Sequence, residues 1–266
     1  ALPETAMRKV RVVELPVARI ELTTPEQRGA APRALYELPE TSHVIVGAPV
    51  YSGQLPSPVV EAVASLDGRG LPTAAVVVFG NRDVGRALQQ LVGLLADASF
   101  RVTAAAAFIA EHSLSSLLPV AQGRPDRSDE RRAARFAESF LDGAEGALPL
   151  DPLGPELQGR RSLVDRLFPP TGPSPESVDE ARCNGCGLCV RRCTMNVLDG
   201  ETRRYRDMAA KARCIGCQGC VRSCPTAARR CQPPAPVRWL IRRVLRDASV
   251  RRREPWSVVA SPQAVG

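Results

Sequence analysis

Eight of the nine cysteines in this 266-residue chain fall into two groups with a single spacing. Cys183, Cys186, Cys189 and Cys193 follow C-x2-C-x2-C-x3-C, and Cys214, Cys217, Cys220 and Cys224 repeat it 31 residues later. Small residues recur between them, at Gly185, Gly187, Gly216 and Gly219. A [4Fe-4S] cube takes four thiolates, three from a tight loop of this kind and the fourth from the other repeat. The spacing therefore assigns one cluster to Cys183, Cys186, Cys189 and Cys224, and a second to Cys214, Cys217, Cys220 and Cys193. The glycines allow the backbone to come close and aim N–H groups at the sulfurs, which helps set the potential. Pro225 follows its ligand directly, whereas the first repeat has Thr194 in that place.

Two other uses of cysteine compete with this reading. Structural zinc wants paired C-x2-C knuckles, not a third cysteine two residues on and a fourth three later, twice over. Disulfides need an oxidising compartment, and the first residues, "ALPETAMRKVRVVEL", lack the basic-then-apolar layout of a secretory signal. The expected setting is therefore the reducing cytoplasm. Cys231 lies outside both groups and reads as a small buried hydrophobe.

The formal charge of +8 would ordinarily raise nucleic acid or an anionic surface as partners. Two cubes with four thiolates each add about −4, so the loaded protein stands near +4 by the ligation rule for such clusters. No helix-turn-helix pattern accompanies the charge, and nucleic-acid binding is not expected. No apolar run reaches the roughly eighteen residues of a membrane span.

Hydrophobic residues make up 44 % of the chain, enough for a core well beyond the cysteine segment. "HVIVGAPV" (43–50), "TAAVVVFG" (73–80) and "FRVTAAAAFIA" (100–110) are continuous apolar runs, the pattern of buried parallel strands. Between them, "SPVVEAVASL" (57–66) and "DVGRALQQLVGLLADA" (83–98) carry helical periodicity, the second with Val84, Leu88, Leu91, Val92 and Leu95 on one stripe. "SDERRAARFAESFLDG" (128–143) predicts a further helix with Ser128 as N-cap and Gly143 as stop. Strands alternating with helices predict a doubly wound α/β domain over residues 1–143. A Pro/Gly-rich linker follows over 144–180, with one short helix at 160–168; the cysteine domain occupies 181–231 and a basic amphipathic tail 232–266.

Residues 181–231 resemble a bacterial-type dicluster ferredoxin, a small α+β domain. The loops that end the apolar runs, in "VIVGAPVYSGQLP" (44–56), "VVVFGNRD" (76–83), "AAFIAEHS" (106–113) and "GRPDRSD" (123–129), together with the domain order, resemble the flavodoxin/ferredoxin fusion family. The resemblance implies a flavodoxin-like doubly wound parallel sheet with an FMN site built from three loops. Two of those map here. Pro49, Val50, Tyr51, Ser52 and Gly53 flank one side of the isoalloxazine, with Tyr51 the aromatic placed to stack on it, and Gly80, Asn81 and Arg82 flank the other. The third, a Ser/Thr/Gly loop that holds the flavin phosphate at a helix N-terminus, has no counterpart in residues 1–22. Residues 17–22 best match the second strand of that fold, so the first strand and the phosphate loop are expected to precede residue 1 and the sheet to be N-terminally incomplete. His112 reads as a structural residue, and Arg124 and Asp126 as an ion pair or a turn.

In the tail, Val237, Leu240, Ile241, Val244 and Leu245 share one helical face and Arg238, Arg242, Arg243 and Arg246 surround the other. A helix that packs its stripe on the protein is preferred to peripheral membrane contact, and the last dozen residues read as a frayed end. The whole reads as an electron-transfer protein with two [4Fe-4S] clusters, whose electrons an intact flavodoxin-like half would accept on FMN. Arg182, Arg191, Arg192, Arg213 and Arg222 beside the ligands are suited to an acidic redox-partner protein. The alternatives are an oxidoreductase with its own small substrate, for which no acid–base pair speaks, and a non-catalytic iron–sulfur redox sensor.

Overall fold

The computed structural model describes residues 38–143, 146, 148, 173–175 and 178–260. The expected strand at 17–22, the helix at 160–168 and most of the linker lie outside the described residues.

The three apolar runs form parallel strands: β1 (Val44–Pro49), β2 (Pro72–Phe79) and β3 (Arg101–Ile109). They pair in chain order, with Val44 opposite Thr73 and Phe79 opposite Ile109. Helices α1 (Ser57–Ala64) and α2 (Ala87–Asp97) make the crossovers and share one face of the sheet. On α2 the apolar stripe is driven fully inward: Leu88, Leu91 and Leu95 are each 0 % exposed. Burying side chains of this size stabilises by about 1.5–3 kcal/mol each, so α2 is a principal anchor of the sheet.

Helix α3 (Arg127–Gly143) covers the opposite face, packing Phe136 and Phe140 on Ala74, Val76, Ala104 and Ala106. The alanines of β3 leave room for those two rings. Ser128 does not cap this helix. Asp126 does so instead, its carboxylate accepting the N–H groups of Ser128 at 2.8 Å and Asp129 at 3.1 Å. An aspartate two residues earlier outcompetes the serine because its charge also suits the positive helix end. Helices on both faces make this an α/β architecture.

The sheet is not wholly parallel. β4 (Trp256–Val259) pairs antiparallel to β3, giving the order β1-β2-β3-β4. The expected frayed end is corrected over this stretch. β4 shields the outer edge of β3 and alternates its side chains, with Trp256 and Val258 on the α1/α2 side and Val259 on the α3 side. Helix α7 (Ala235–Val250) precedes it and lays Leu245 and Ala248 on Leu114 and Val120, with Ile241 alongside. The tail thus completes the α/β unit. Three short helices belong to the cysteine segment: α4 (Leu188–Arg191), α5 (Met208–Ala212) and α6 (Gly219–Arg222). Among the described residues no helix is long and apolar enough to cross a membrane.

Candidate functional site

The two cysteine repeats have the same backbone. Gly185, Gly187 and Asn196 take positive φ of 77°, 67° and 48°, and Gly216, Gln218 and Ala227, each 31 positions on, take 64°, 59° and 52°. α4 and α6 obey the same offset. Gln218 holds the left-handed position that glycine holds in the first repeat. Its side-chain N–H₂ donates to the carbonyls of Pro173 at 2.7 Å and Gly216 at 3.0 Å, which fixes the turn a glycine adopts without help.

These loops aim donors at sulfur. The Val197 N–H donates to Cys193 Sγ at 3.4 Å, and the Tyr205 hydroxyl lies 3.6 Å from Cys214 Sγ. Burial works to raise the Cys224 thiol, but the Arg229 N–H, the Thr226 hydroxyl and further backbone N–H groups outweigh it and hold the group below its ordinary value. Cys220 is the opposite case, its thiol pushed up to about 12, chiefly by burial. A ligand that binds it as thiolate must displace that proton. Among the described residues no three His, Cys, Asp or Glu side chains stand close enough to share one metal ion. In a [4Fe-4S] cube each iron takes one thiolate, so its four ligands do not converge on a single ion. The donor set, all sulfur on Gly-rich loops, fits such a cube. Cys231 is buried and points its thiol at the Pro173 carbonyl, 3.6 Å away.

The exposures of the eight repeat cysteines differ. Cys186 is exposed, Cys189 and Cys220 are buried, and the other five are intermediate. Arg182, Arg191, Arg192, Arg213 and Arg222 are all exposed.

A cavity of about 420 Å³ opens beyond the carboxyl ends of β1, β2 and β3. Its floor is the three loops, including Tyr51, Gly80, Arg82 and His112. Its roof is the apolar stripe of α7: Val237, Leu240, Ile241, Val244 and Leu245. Cys217 and Arg222 of the second cysteine repeat also line it. A cavity of this size and apolar lining, at the edge where α/β sheets bind ligands, suits a planar cofactor ring.

Of the eight residues expected around such a ring, Pro49, Val50, Tyr51, Ser52, Gly80 and Arg82 line this cavity. Tyr51 and Gln54 close a tight turn by reciprocal backbone hydrogen bonds of 2.9 and 3.0 Å, with Ser52 and Gly53 at positive φ. Gly53 faces Gly85. A Cβ on Gly85 would stand 2.2 Å from the Gly53 carbonyl oxygen, and this contact locks the two loops together. Asn81 is 2 % exposed, and its side chain turns to the tail, donating to the carbonyls of Ala248 at 2.8 Å and Arg251 at 2.6 Å. Burial, followed by the influence of Cys217, raises the Tyr51 phenol well above its ordinary value, with Arg222 opposing. That coupling puts Tyr51 within electrostatic reach of the cysteine loop. His112 is held neutral, pushed down to about 4 by burial and then by Arg82, and its Nδ1 accepts the Leu114 N–H at 3.1 Å. A Cβ on Gly80 would stand 2.5 Å from the His112 ring, so only glycine admits this imidazole.

Arg124 and Asp126 do not pair with each other. Arg124 forms a buried pair with Asp129 and donates to the Arg253 carbonyl at 3.0 Å, while Asp126 accepts from Arg252 at 2.8 Å. Both contacts strap the tail under the sheet edge. The role of α7 as cavity roof is legible only in the folded chain. Its stripe marked a buried face, but nothing local told which surface would meet it.

Residues 182–228 match the family model described as a 4Fe-4S dicluster domain. No curated protein and no solved structure matches the chain.

Proposed function

We propose that this chain is an electron carrier in which two [4Fe-4S] clusters are wired to a flavin seated in the cavity beyond the sheet. The iron–sulfur character of the cysteine segment rests on the family match. The finer reading has one cluster on Cys183, Cys186, Cys189 and Cys224 and the other on Cys214, Cys217, Cys220 and Cys193. One observation carries the link: Cys217 is both a member of the second ligand set and part of the cavity wall that Tyr51 shares. A redox group in that cavity would lie against a cluster ligand.

Bound flavin supplies the step between one- and two-electron chemistry. The chain's own residues bind and shield. Tyr51 offers a ring face, the α7 stripe excludes water, and neutral His112 together with Arg82 lines the rim beyond β2 and β3. The exposed side of the other cluster, at Cys186, and the arginines near it suit the docking of an acidic redox partner.

The test is a cofactor inventory on anaerobically purified protein, by iron, sulfide and released flavin, with EPR after dithionite. The reading expects about eight iron and eight sulfide per chain, from two cubes of four, and FMN near one equivalent. Clusters without flavin, after reconstitution with free FMN, would refute the relay and leave a dicluster carrier.

A further inference from the structure

The repeat provides an internal comparison. The two cysteine loops share their left-handed turns and short helix at an offset of 31, and at that offset Leu198 in the first corresponds to Arg229 in the second. Both side chains are buried, each 1 % exposed. A guanidinium, charged at every working pH, thus occupies the place of an aliphatic side chain in its twin. Burying a cation is costly unless the fold uses its charge.

Its guanidinium acts on two cysteines of one ligand set, Cys220 through its charge and Cys214 by way of Tyr205, while its backbone N–H donates to Cys224 of the other. The guanidinium lies over the Tyr205 ring, 5.6 Å from the centroid, and Nη2 donates to the Arg203 carbonyl. The same Tyr205 places its hydroxyl 3.6 Å from Cys214 Sγ and donates to the Pro175 carbonyl at 3.0 Å. The Arg229 charge also opposes the rise that burial imposes on the Cys220 thiol. Cys214 and Cys220 belong to the same assigned set as Cys217, the ligand on the cavity wall.

We propose that Arg229 is the buried counter-charge of the cluster held by Cys214, Cys217, Cys220 and Cys193, and that it raises this cluster's reduction potential above that of its twin. The inference rests on the two-cluster reading above. Each cluster accepts one electron and gains one negative charge. A fixed cation inside the low-dielectric interior stabilises that charge far more than the exposed arginines, which water and salt screen. Arg229 is a tuning residue, acting through space and through Tyr205 without ligating. Electrons delivered at the exposed Cys186 side would then run downhill toward the cavity.

The experiment is a potentiometric EPR titration of the anaerobic holoprotein and of Arg229→Leu, which installs the residue of the twin repeat. Water near Cys186 also favours reduction of the other cluster, so the decisive comparison is the variant against the native protein. The native protein should show two one-electron steps. In Arg229→Leu the upper step should fall by at least tenfold in its equilibrium constant, about 59 mV for one electron, and the lower step should move much less. Arg229→Lys should hold the upper step. Arg229→Gln, which keeps a donor for the Arg203 carbonyl and removes the charge, should reproduce the fall, so a packing defect in the leucine variant cannot mimic the result. An unmoved upper step with about eight iron per chain overturns the role of Arg229 alone, whereas a native protein with a single cluster's iron overturns the two-cluster reading along with it.

Discussion

The side-chain oxygen of Asn81 accepts the backbone N–H of Arg253 at 3.0 Å, across 172 residues of chain. With its two N–H₂ bonds to Ala248 and Arg251, this one amide holds the junction between α7 and β4 against the loop after β2. Asn81 also sits at a φ of 62°, a conformation asparagine tolerates better than most residues. Asn81→Gly keeps that backbone and deletes the clamp. Orphaning a buried partner costs about 1–3 kcal/mol, so with three partners orphaned the variant should lose roughly 3 kcal/mol or more. Urea unfolding followed by circular dichroism checks the magnitude. Limited proteolysis should show new cuts between α7 and β4, and a variant as resistant as the native protein would deny Asn81 this role.

The tail has a second strap at Arg124 and Asp129. The pair is buried, with side-chain exposures of 5 % and 3 %. Arg124 holds the Asp129 carboxyl below its ordinary value against the opposing effect of burial. Removing one partner of such a pair leaves the other charge buried, which typically costs about 3–5 kcal/mol. Asp129→Ala should therefore destabilise the protein by about that amount at neutral pH. Glu254→Ala, which breaks an exposed pair with Arg132, should cost no more than about 1 kcal/mol. Denaturation midpoints of the two variants measured side by side decide it.

The sequence carried the parts of this structure whose signals are local. β1, β2 and β3 are runs such as "VIVGAP" and "AAVVVF", whose apolarity marks strands buried on both faces. Six of the eight expected loop residues reach the cavity because the ends of adjacent parallel strands must meet at one sheet edge. β4 escaped notice. Its four residues follow the basic run "RRREP", and a strand that short needs the open edge of β3 to exist. Asn81 read as a cavity residue because its neighbours are, whereas its partners lie far off in the tail. Arg229 was available from the repeat, since aligning Leu198 with it exposes the exchange. A charge among other surface arginines gives no local sign that it is buried.

Tyr51 is the residue on which the flavin reading turns in the cavity. Its phenol, raised first by burial and then by Cys217, stays neutral across the working pH range. Tyr51→Phe should therefore leave flavin binding nearly unchanged, because it alters neither ring nor charge. Tyr51→Ala removes the stacking face. Aromatic stacking contributes about 0.5–1.5 kcal/mol beyond buried area, so flavin affinity should fall about threefold to tenfold or more. Fluorescence titration of deflavinated protein with FMN measures both. Equal affinity in the alanine variant would remove Tyr51 from the site.

His112 predicts a pH dependence. Its folded value of about 4 lies below the ordinary 6.5. A group depressed on folding binds its proton more readily in the unfolded chain, so stability rises with pH across that window. The contribution is complete above about pH 6.5, the unperturbed value, and drains as pH falls toward 4, where it levels off. The whole effect is about 3.4 kcal/mol at most, and the part between pH 8 and 5.5 about 1.4 kcal/mol, taking one pKa unit as 1.36 kcal/mol. His112→Asn keeps an acceptor for the Leu114 N–H and cannot titrate in this range. Urea unfolding under nitrogen at pH 8 and pH 5.5 should show the loss in the native protein and little of it in the variant. Equal losses in both would place the titrating group elsewhere.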